Sequence, residues 1–187
     1  MLAGHFAVGL ALKARYHQVP VLAILFSVLL LDWIWLVLVW QDVEHFRLFF
    51  TTKSLMQLDL YDVAYSHSLF WALFYAVGTF LVFVRAEGQR HWAAPLSLGI
   101  FSHWLLDGIS YSNLPFANFG PAFHCGLGLE AAFPILACAI EGVIVLAGWG
   151  FYYQTQGSAA ARGPLWAILM VLLLLLLAPF LWTKFFI

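Results

Sequence analysis

The stretch FSHWLLDGISY, residues 101–111, places two ionisable side chains inside a segment that otherwise has the composition of a membrane helix. His103 and Asp107 are four residues apart, so a helix places both side chains on one face. An imidazole beside a carboxylate is a common ligand pair for Zn, Mn or Fe. The same spacing also suits a simple His–Asp hydrogen bond, so the rest of the chain must decide between the two interpretations.

The composition predicts an integral membrane protein. Of the 187 residues, 64% are hydrophobic and 9% are charged, and the mean hydropathy is +0.93. Soluble domains carry about 25% charged residues. A net charge of -1 gives no indication of a nucleic-acid partner. Cys125 and Cys138 form no CxxC pair and are expected to pack as small apolar side chains.

Five apolar segments are predicted as spanning helices, because a span needs about 20 apolar residues. They are residues 19–40, 67–84, 92–110, 131–153 and 164–182. Residues 2–12 are too few to cross comfortably and are expected to form a short, partly membrane-inserted helix. The predicted fold is therefore all-α: a polytopic transmembrane bundle of five spanning helices with a short helix before them.

A single transmembrane domain is predicted for residues 1–187, with a metal-site bundle at 1–153 and a C-terminal aliphatic helix at 164–187. In the short first helix, Ala3, Ala7 and Ala11 recur every four residues, which allows close packing on other helices.

Basic residues in the connections indicate an orientation for these five spans. One side of the membrane receives Lys13, Arg15, Arg85, Arg90 and Arg162, and the other receives Arg47, Lys53 and Lys184. The majority of five against three predicts that the first side is cytoplasmic. In a bacterial inner membrane, the longer connections at 41–66 and 111–130 would then face the periplasm.

Ionisable side chains inside the apolar segments are the main functional signal. They are His5, Asp32, His67, His103, Asp107 and Glu141. Each costs at least ~2.5 kcal/mol at the bilayer centre, so such groups normally face the interior of a bundle. At a rise of 1.5 Å per residue, Asp32 and His103 both lie ~18 Å from the predicted cytoplasmic side. All six fall in one layer, which predicts that they converge.

Three histidines and two aspartates are enough for one metal with a water, or for two metals bridged by a carboxylate. The candidate metal ligands are His5, Asp32, His67, His103 and Asp107. Each has a structural alternative when taken alone, such as a helix cap for Asp32 or an interfacial position for His67. Glu141 is the candidate catalytic base or proton shuttle, with a structural hydrogen bond as its alternative. Ser66 is not expected to face His67, because neighbouring residues of a helix point apart.

The segments GHFAVGLALK (4–13), LLD (30–32), YSHSL (65–69) and SHWLLD (102–107) together resemble a family of small bacterial inner-membrane proteins described as membrane-bound metal-dependent hydrolases. The resemblance covers roughly residues 1–150 and implies the same five ligands. Better-known members carry Asp-x-Asp near the second motif, whereas this chain has the single Asp of LDWIW.

The sequence therefore predicts a membrane-embedded hydrolase that uses a divalent transition metal, with zinc first and manganese or iron as alternatives. The expected substrate is lipid-like, such as a phosphoester, and the expected location is the bacterial inner membrane. Two other functions use the same layer: a non-catalytic subunit or accessory protein, and a proton or ion relay. Membrane lipid is an expected partner, and a homo-oligomer or a larger membrane complex stays open.

Overall fold

The structure is a computed structural model that describes residues 1–50, 56–117, 123–155 and 165–186. Its helices are α1 (Leu2–Arg15), α2 (Val21–Val28), α3 (Leu30–Trp40), α4 (Leu69–Arg85), α5 (Ala93–Ser110), α6 (Leu129–Ala132), α7 (Pro134–Thr155) and α8 (Leu165–Phe186). A 3-10 turn, Arg90–Trp92, precedes α5. The strands are β1 (His45–Phe50), β2 (Met56–Asp62), β3 (Leu114–Pro115) and β4 (His124–Cys125).

The prediction of five spanning helices is wrong. Within the described residues, α7 alone is a single helix long and apolar enough to cross a membrane. Helices α2 and α3 reach that length only together, and they are bent by 54° at the break between them, so at most two spans result. The orientation inferred from alternating charges assumed five crossings and is lost with them. Lys53 and Arg162 lie outside the described residues.

The remaining predicted spans fail because the apolar runs do not form long apolar helices. Helix α4 has 17 residues. Helix α5 has 18 residues but is interrupted by polar and small side chains, among them the His103 and Asp107 pair. In α8, the described side chains give an apolar stretch of Ala167–Ala178, which is not counted as a span, and position 164 lies outside the described residues.

An antiparallel hairpin of β1 and β2 replaces part of the predicted loop at 41–66, so the all-α prediction also needs correction. In β2, the sequence MQLDLYD alternates apolar and polar residues, as a strand with one covered face does. Leu58 and Leu60 therefore point to the same face. Strands β3 and β4 form a second, two-residue ladder.

Helix α1 lies at the centre of the fold, packed against α7 on one side and α2 on the other. Ala3 and Ala7 are fully buried, as their spacing predicts, whereas Ala11 is half-buried. The backbones of α1 and α7 meet at Gly148, where an added Cβ would lie 2.3 Å from the Ala7 carbonyl oxygen. Small residues thus hold the helix that carries His5 close to its neighbour.

The base of the β1–β2 hairpin is held by His45, whose Nδ1 lies 2.8 Å from Asp62 Oδ2 and whose Nε2 lies 3.2 Å from Asp42 Oδ1. Both nitrogens donate only when the ring is protonated. The hydrogen bond to Asp62 raises the pKa of His45. A raised folded-state pKa means that the stabilisation is present below the unfolded value, about 6.5, and is lost as pH rises through the folded value.

We therefore predict that the hairpin base opens more often as pH rises above about 6.5. Amide hydrogen exchange in β1 and β2, corrected for its intrinsic pH dependence, should show protection falling across that range. The His45→Gln variant should show weaker protection with no such dependence. An identical pH profile in the two proteins would remove His45 from this role.

Candidate metal centre

The structure brings together all five residues that the sequence predicts as metal ligands. His5 comes from α1, Asp32 from the first turn of α3, His67 from the turn before α4, and His103 and Asp107 from α5. Two groups of three have ligand atoms within 4.8 Å of one another. One group is His5, His103 and Asp107, and the other is Asp32, His67 and His103.

Asp107 lies at the middle of the cluster, with one or the other of its oxygens close to each histidine. Its Oδ1 is 3.4 Å from His5 Nε2. Its Oδ2 is 3.4 Å from His67 Nε2 and 3.2 Å from His103 Nε2. Asp107 is buried, so its negative charge needs positive charge nearby, which protonated imidazoles or a bound cation would supply.

Asp32 approaches the same two histidines from the other side. Its Oδ1 is 3.6 Å from His67 Nε2 and 3.5 Å from His103 Nε2. In a tetrahedral site with metal–ligand bonds near 2.1 Å, neighbouring ligand atoms are about 3.4 Å apart. The nitrogen–oxygen separations of 3.2 to 3.6 Å match this spacing. The spacing of the His nitrogens and Asp oxygens is therefore compatible with ligands of a small divalent cation.

His103 Nε2 is buried and has no hydrogen-bond partner, although two carboxylate oxygens lie within 3.5 Å of it. Buried polar atoms are nearly always hydrogen-bonded, since an unpaired one costs about 1–3 kcal/mol. A metal ion bound between this nitrogen and the two carboxylates would satisfy it. The buried His and Asp groups of this cluster could hold a metal ion.

The break between α2 and α3 frees a backbone carbonyl that determines which nitrogen of His103 donates a hydrogen bond. In a continuous helix the Val28 carbonyl would accept the amide hydrogen of Asp32. At the break it instead accepts the Nδ1–H of His103, at 2.6 Å. Because Nδ1 donates to this carbonyl, Nε2 is the nitrogen that can offer a lone pair to a metal. The bend between α2 and α3 thus both interrupts the predicted span and orients the His103 ring.

The proton on His67 is placed by Ser66, whose Oγ lies 2.7 Å from His67 Nδ1. The expectation that Ser66 does not face His67 is wrong, because residues 65–68 form a turn and α4 begins only at Leu69. The carbonyl of His67 also accepts a hydrogen bond from Trp104 Nε1 at 2.9 Å. The turn is therefore fixed at both its side chain and its backbone.

Glu44 is a buried carboxylate that sequence reasoning placed in a polar loop. Its Oε1 accepts the backbone N–H of Tyr65 at 2.6 Å and that of Ser66 at 2.9 Å, and its Oε2 accepts the Ser66 hydroxyl. The surrounding sequence QDVEH is that of an ordinary loop. No local signal distinguishes Glu44 from its exposed neighbours.

Glu141 belongs to neither of the two groups of potential ligands. Its Oε1 accepts the backbone N–H of Gly4 at 3.0 Å, so it satisfies one of the free amides in the first turn of α1. The next residue along α1 is His5. The structure thus joins Glu141 to the cluster through the backbone of α1, and its role as a base or shuttle stays a prediction.

A cavity of about 350 Å³ lies against the cluster. Its polar wall includes His5, Asp32, His67 and Asp107, and its other lining residues are Met1, Leu2, Trp35, Leu36, Leu58, Leu60 and Tyr111. Asp32 is 35% exposed, whereas the other cluster side chains are buried. Burial raises the pKa of Tyr111 well above its usual range, so this wall residue is a neutral phenol. The cluster is therefore open to a small molecule on the Asp32 side.

No protein-family model, curated protein or solved structure matches this chain.

Proposed function

We propose that the protein is a membrane-embedded hydrolase that uses one divalent metal ion held by the His/Asp cluster. The observation that carries this proposal is the buried Nε2 of His103, which lies between Asp32 and Asp107 without a hydrogen bond. A cluster evolved only to hold helices together would be expected to satisfy that nitrogen. The resemblance in the sequence to metal-dependent hydrolases supports the same conclusion.

One metal is favoured over two because both groups of ligands need the same nitrogen. His103 Nδ1 donates to the Val28 carbonyl, so only Nε2 is free, and its single lone pair binds one ion. His67, His103 and Asp107 would then hold the ion, and Asp32 would border its fourth position, which faces the cavity and is open to a water. His5 lies against the other oxygen of Asp107 and closes the cluster on the α1 side.

Zinc is the first candidate for this ion. Imidazole and carboxylate ligands suit Zn²⁺, and the donor separations match a tetrahedral ion with short bonds. The two buried or half-buried carboxylates of the cluster give the site a negative charge that a divalent cation would neutralise. Manganese and iron accept the same donors and are the alternatives to be separated by metal analysis.

A divalent metal in such a site lowers the pKa of a coordinated water to about 7 and polarises a phosphoryl or carbonyl oxygen. The chain's own residues have separate tasks. Asp32 faces the cavity, so its carboxylate can accept a proton or orient a water at that wall. Glu141 holds the first turn of α1 and thereby the position of His5.

The cavity supports a lipid-like substrate, such as a phosphoester. Its size lies within the range of small-molecule sites, about 300–1,000 Å³. Leu36, Leu58 and Leu60 give it apolar walls, while the polar groups are concentrated on the cluster side. A lipid-like substrate would place its apolar chain against the leucines and its polar ester group against the His/Asp cluster.

Membrane location is part of the proposal. Helix α7 can span a bilayer, and large apolar side chains such as Trp40 and Ile135 are 84% and 80% exposed. Exposed apolar surface on this scale is expected where lipid or a partner protein covers it. The resemblance to bacterial inner-membrane proteins supports the inner membrane as the compartment.

The test is hydrolysis by the purified protein in lipid vesicles. Fluorescent phosphoester and carboxylester lipids should be cleaved by the zinc-loaded protein, not after chelation, and again when zinc is restored. The Asp32→Asn variant should keep the fold and lose at least ~100-fold in rate, as expected for loss of a general base. Stoichiometric metal without turnover of any ester would instead favour a non-catalytic subunit, and a folded protein without metal would favour the relay.

A further inference from the structure

We infer that Glu44 is a positioning residue that sets which nitrogen of His67 carries the proton, and through it the metal affinity of the site. The inference rests on the proposed metal-dependent function. Glu44 is 1% exposed and is separated from His67 by one side chain, that of Ser66.

A carboxylate can only accept hydrogen bonds. Both oxygens of Glu44 are in use: Oε1 accepts two backbone N–H groups, and Oε2 faces the Ser66 hydroxyl. The single hydroxyl proton of Ser66 must therefore point to Glu44. Only lone pairs of Ser66 Oγ are then left to face His67.

His67 Nδ1 lies 2.7 Å from that oxygen and can bond to it only by donating. When the ring carries a single proton, that proton is thus held on Nδ1, and the lone pair of Nε2 faces Asp32 and Asp107, at 3.6 and 3.4 Å. His67 and His103 reach the same protonation pattern by different means. His103 uses a backbone carbonyl, and His67 uses a serine backed by a buried carboxylate.

The substitution Glu44→Gln should reverse the pattern without changing the shape of the side chain. Two backbone N–H groups donate at the Oε1 position, so the amide oxygen must occupy it and the amide NH2 must face Ser66. Ser66 Oγ then accepts from the amide, and its own proton turns to His67 Nδ1. The His67 proton moves to Nε2, where it donates to a carboxylate and blocks metal binding.

The decisive measurement is the tautomer of His67 in metal-free protein, read from the nitrogen chemical shifts of ¹⁵N-labelled histidine and assigned with a His67→Gln variant. Wild type should carry the proton on Nδ1, and Glu44→Gln should carry it on Nε2. Zinc affinity should fall about 10–100-fold in Glu44→Gln, the usual cost of losing a residue that orients a ligand. A merely structural role for Glu44 would leave the tautomer unchanged.

Ser66→Ala is the matched variant, because it cuts the connection while leaving Glu44 in place. It should abolish the tautomer preference, and adding Glu44→Gln to it should change neither the tautomer nor the zinc affinity further. It also keeps the inference testable if Glu44→Gln does not fold. A Glu44→Gln protein that is folded and still protonated on Nδ1 would overturn the inference.

The failure of this inference and the failure of the proposed function are distinguishable. The tautomer is measured without metal, so a wild-type protein that binds no zinc but has Nδ1 protonated would refute the metal function alone. Zinc binding by wild type, with the same affinity in the Glu44→Gln variant, would refute the role of Glu44 alone.

Discussion

Replacement of Asp107 by Asn is expected to remove stoichiometric metal from the protein. Zinc binding should weaken by more than ~100-fold, because loss of a residue that only hydrogen-bonds to a ligand costs about 10–100-fold. Asp107 is the one carboxylate whose oxygens lie within 3.4 Å of His5, His67 and His103. The amide keeps the shape but removes the negative charge, and its NH2 must face a ligand nitrogen.

The control is Asp59→Asn, which removes one carboxylate from the exposed hairpin. Asp59 Oδ1 accepts from Asn113 at 3.4 Å, and an asparagine oxygen can do the same. Metal content should be measured by mass spectrometry after purification without chelators, and affinity by zinc titration of the apo protein. Wild-type metal content in a folded Asp107→Asn protein would show that the ion is held elsewhere. An absence of metal in folded wild type would reduce the cluster to a hydrogen-bonded network.

The second large effect is expected at Gly148, where α1 and α7 touch. A methyl group at this position would lie 2.3 Å from the Ala7 carbonyl oxygen and 3.1 Å from Ala7 Cβ. The nearest atom is backbone, so the helices must separate to admit it. Gly148→Ala should lower the free energy of unfolding by about 1–3 kcal/mol, the usual cost of overpacking.

Gly150→Ala is the matched control on the same helix, because nothing lies within 4 Å of the Cβ it would add. It should stabilise the protein by up to about 1 kcal/mol, since alanine is the better helix former. Reversible unfolding in mixed detergent micelles would measure both variants. Equal stability of the two variants would mean that α1 and α7 are not packed as closely as Gly148 indicates.

The cluster could be predicted from the sequence because burial of charge is expensive and leaves few arrangements. His5, Asp32 and His103 stand out in apolar segments, where ionisable groups are expected to face one another in the interior. The common depth assigned to them assumed five crossings, which the structure does not have. The spans could not be predicted in the same way. An apolar run around Leu29 reads as one helix, yet the structure bends it to satisfy a histidine on α5.

The residues that sequence analysis missed act through contacts that no local pattern records. Glu44 reaches Ser66 across 22 positions of the chain, and the Val28 carbonyl reaches His103 across 75. The strand β2 does carry a local signal, the alternation of apolar and polar residues in MQLDLYD. Local sequence patterns therefore indicate the candidate ligands better than the groups that orient them.

The bend between α2 and α3 makes the geometry of the His/Asp cluster depend on the number of residues between Val28 and Asp32 more than on their type. Val28 and Asp32 are one helical turn apart in sequence and contact His103 from opposite sides of the break. A residue inserted between them would rotate Asp32 by about 100° relative to α5. We therefore expect positions 29–31 to tolerate exchange of one apolar side chain for another. An insertion or deletion there would move Asp32 away from His103 while the Val28 carbonyl still holds the His103 ring.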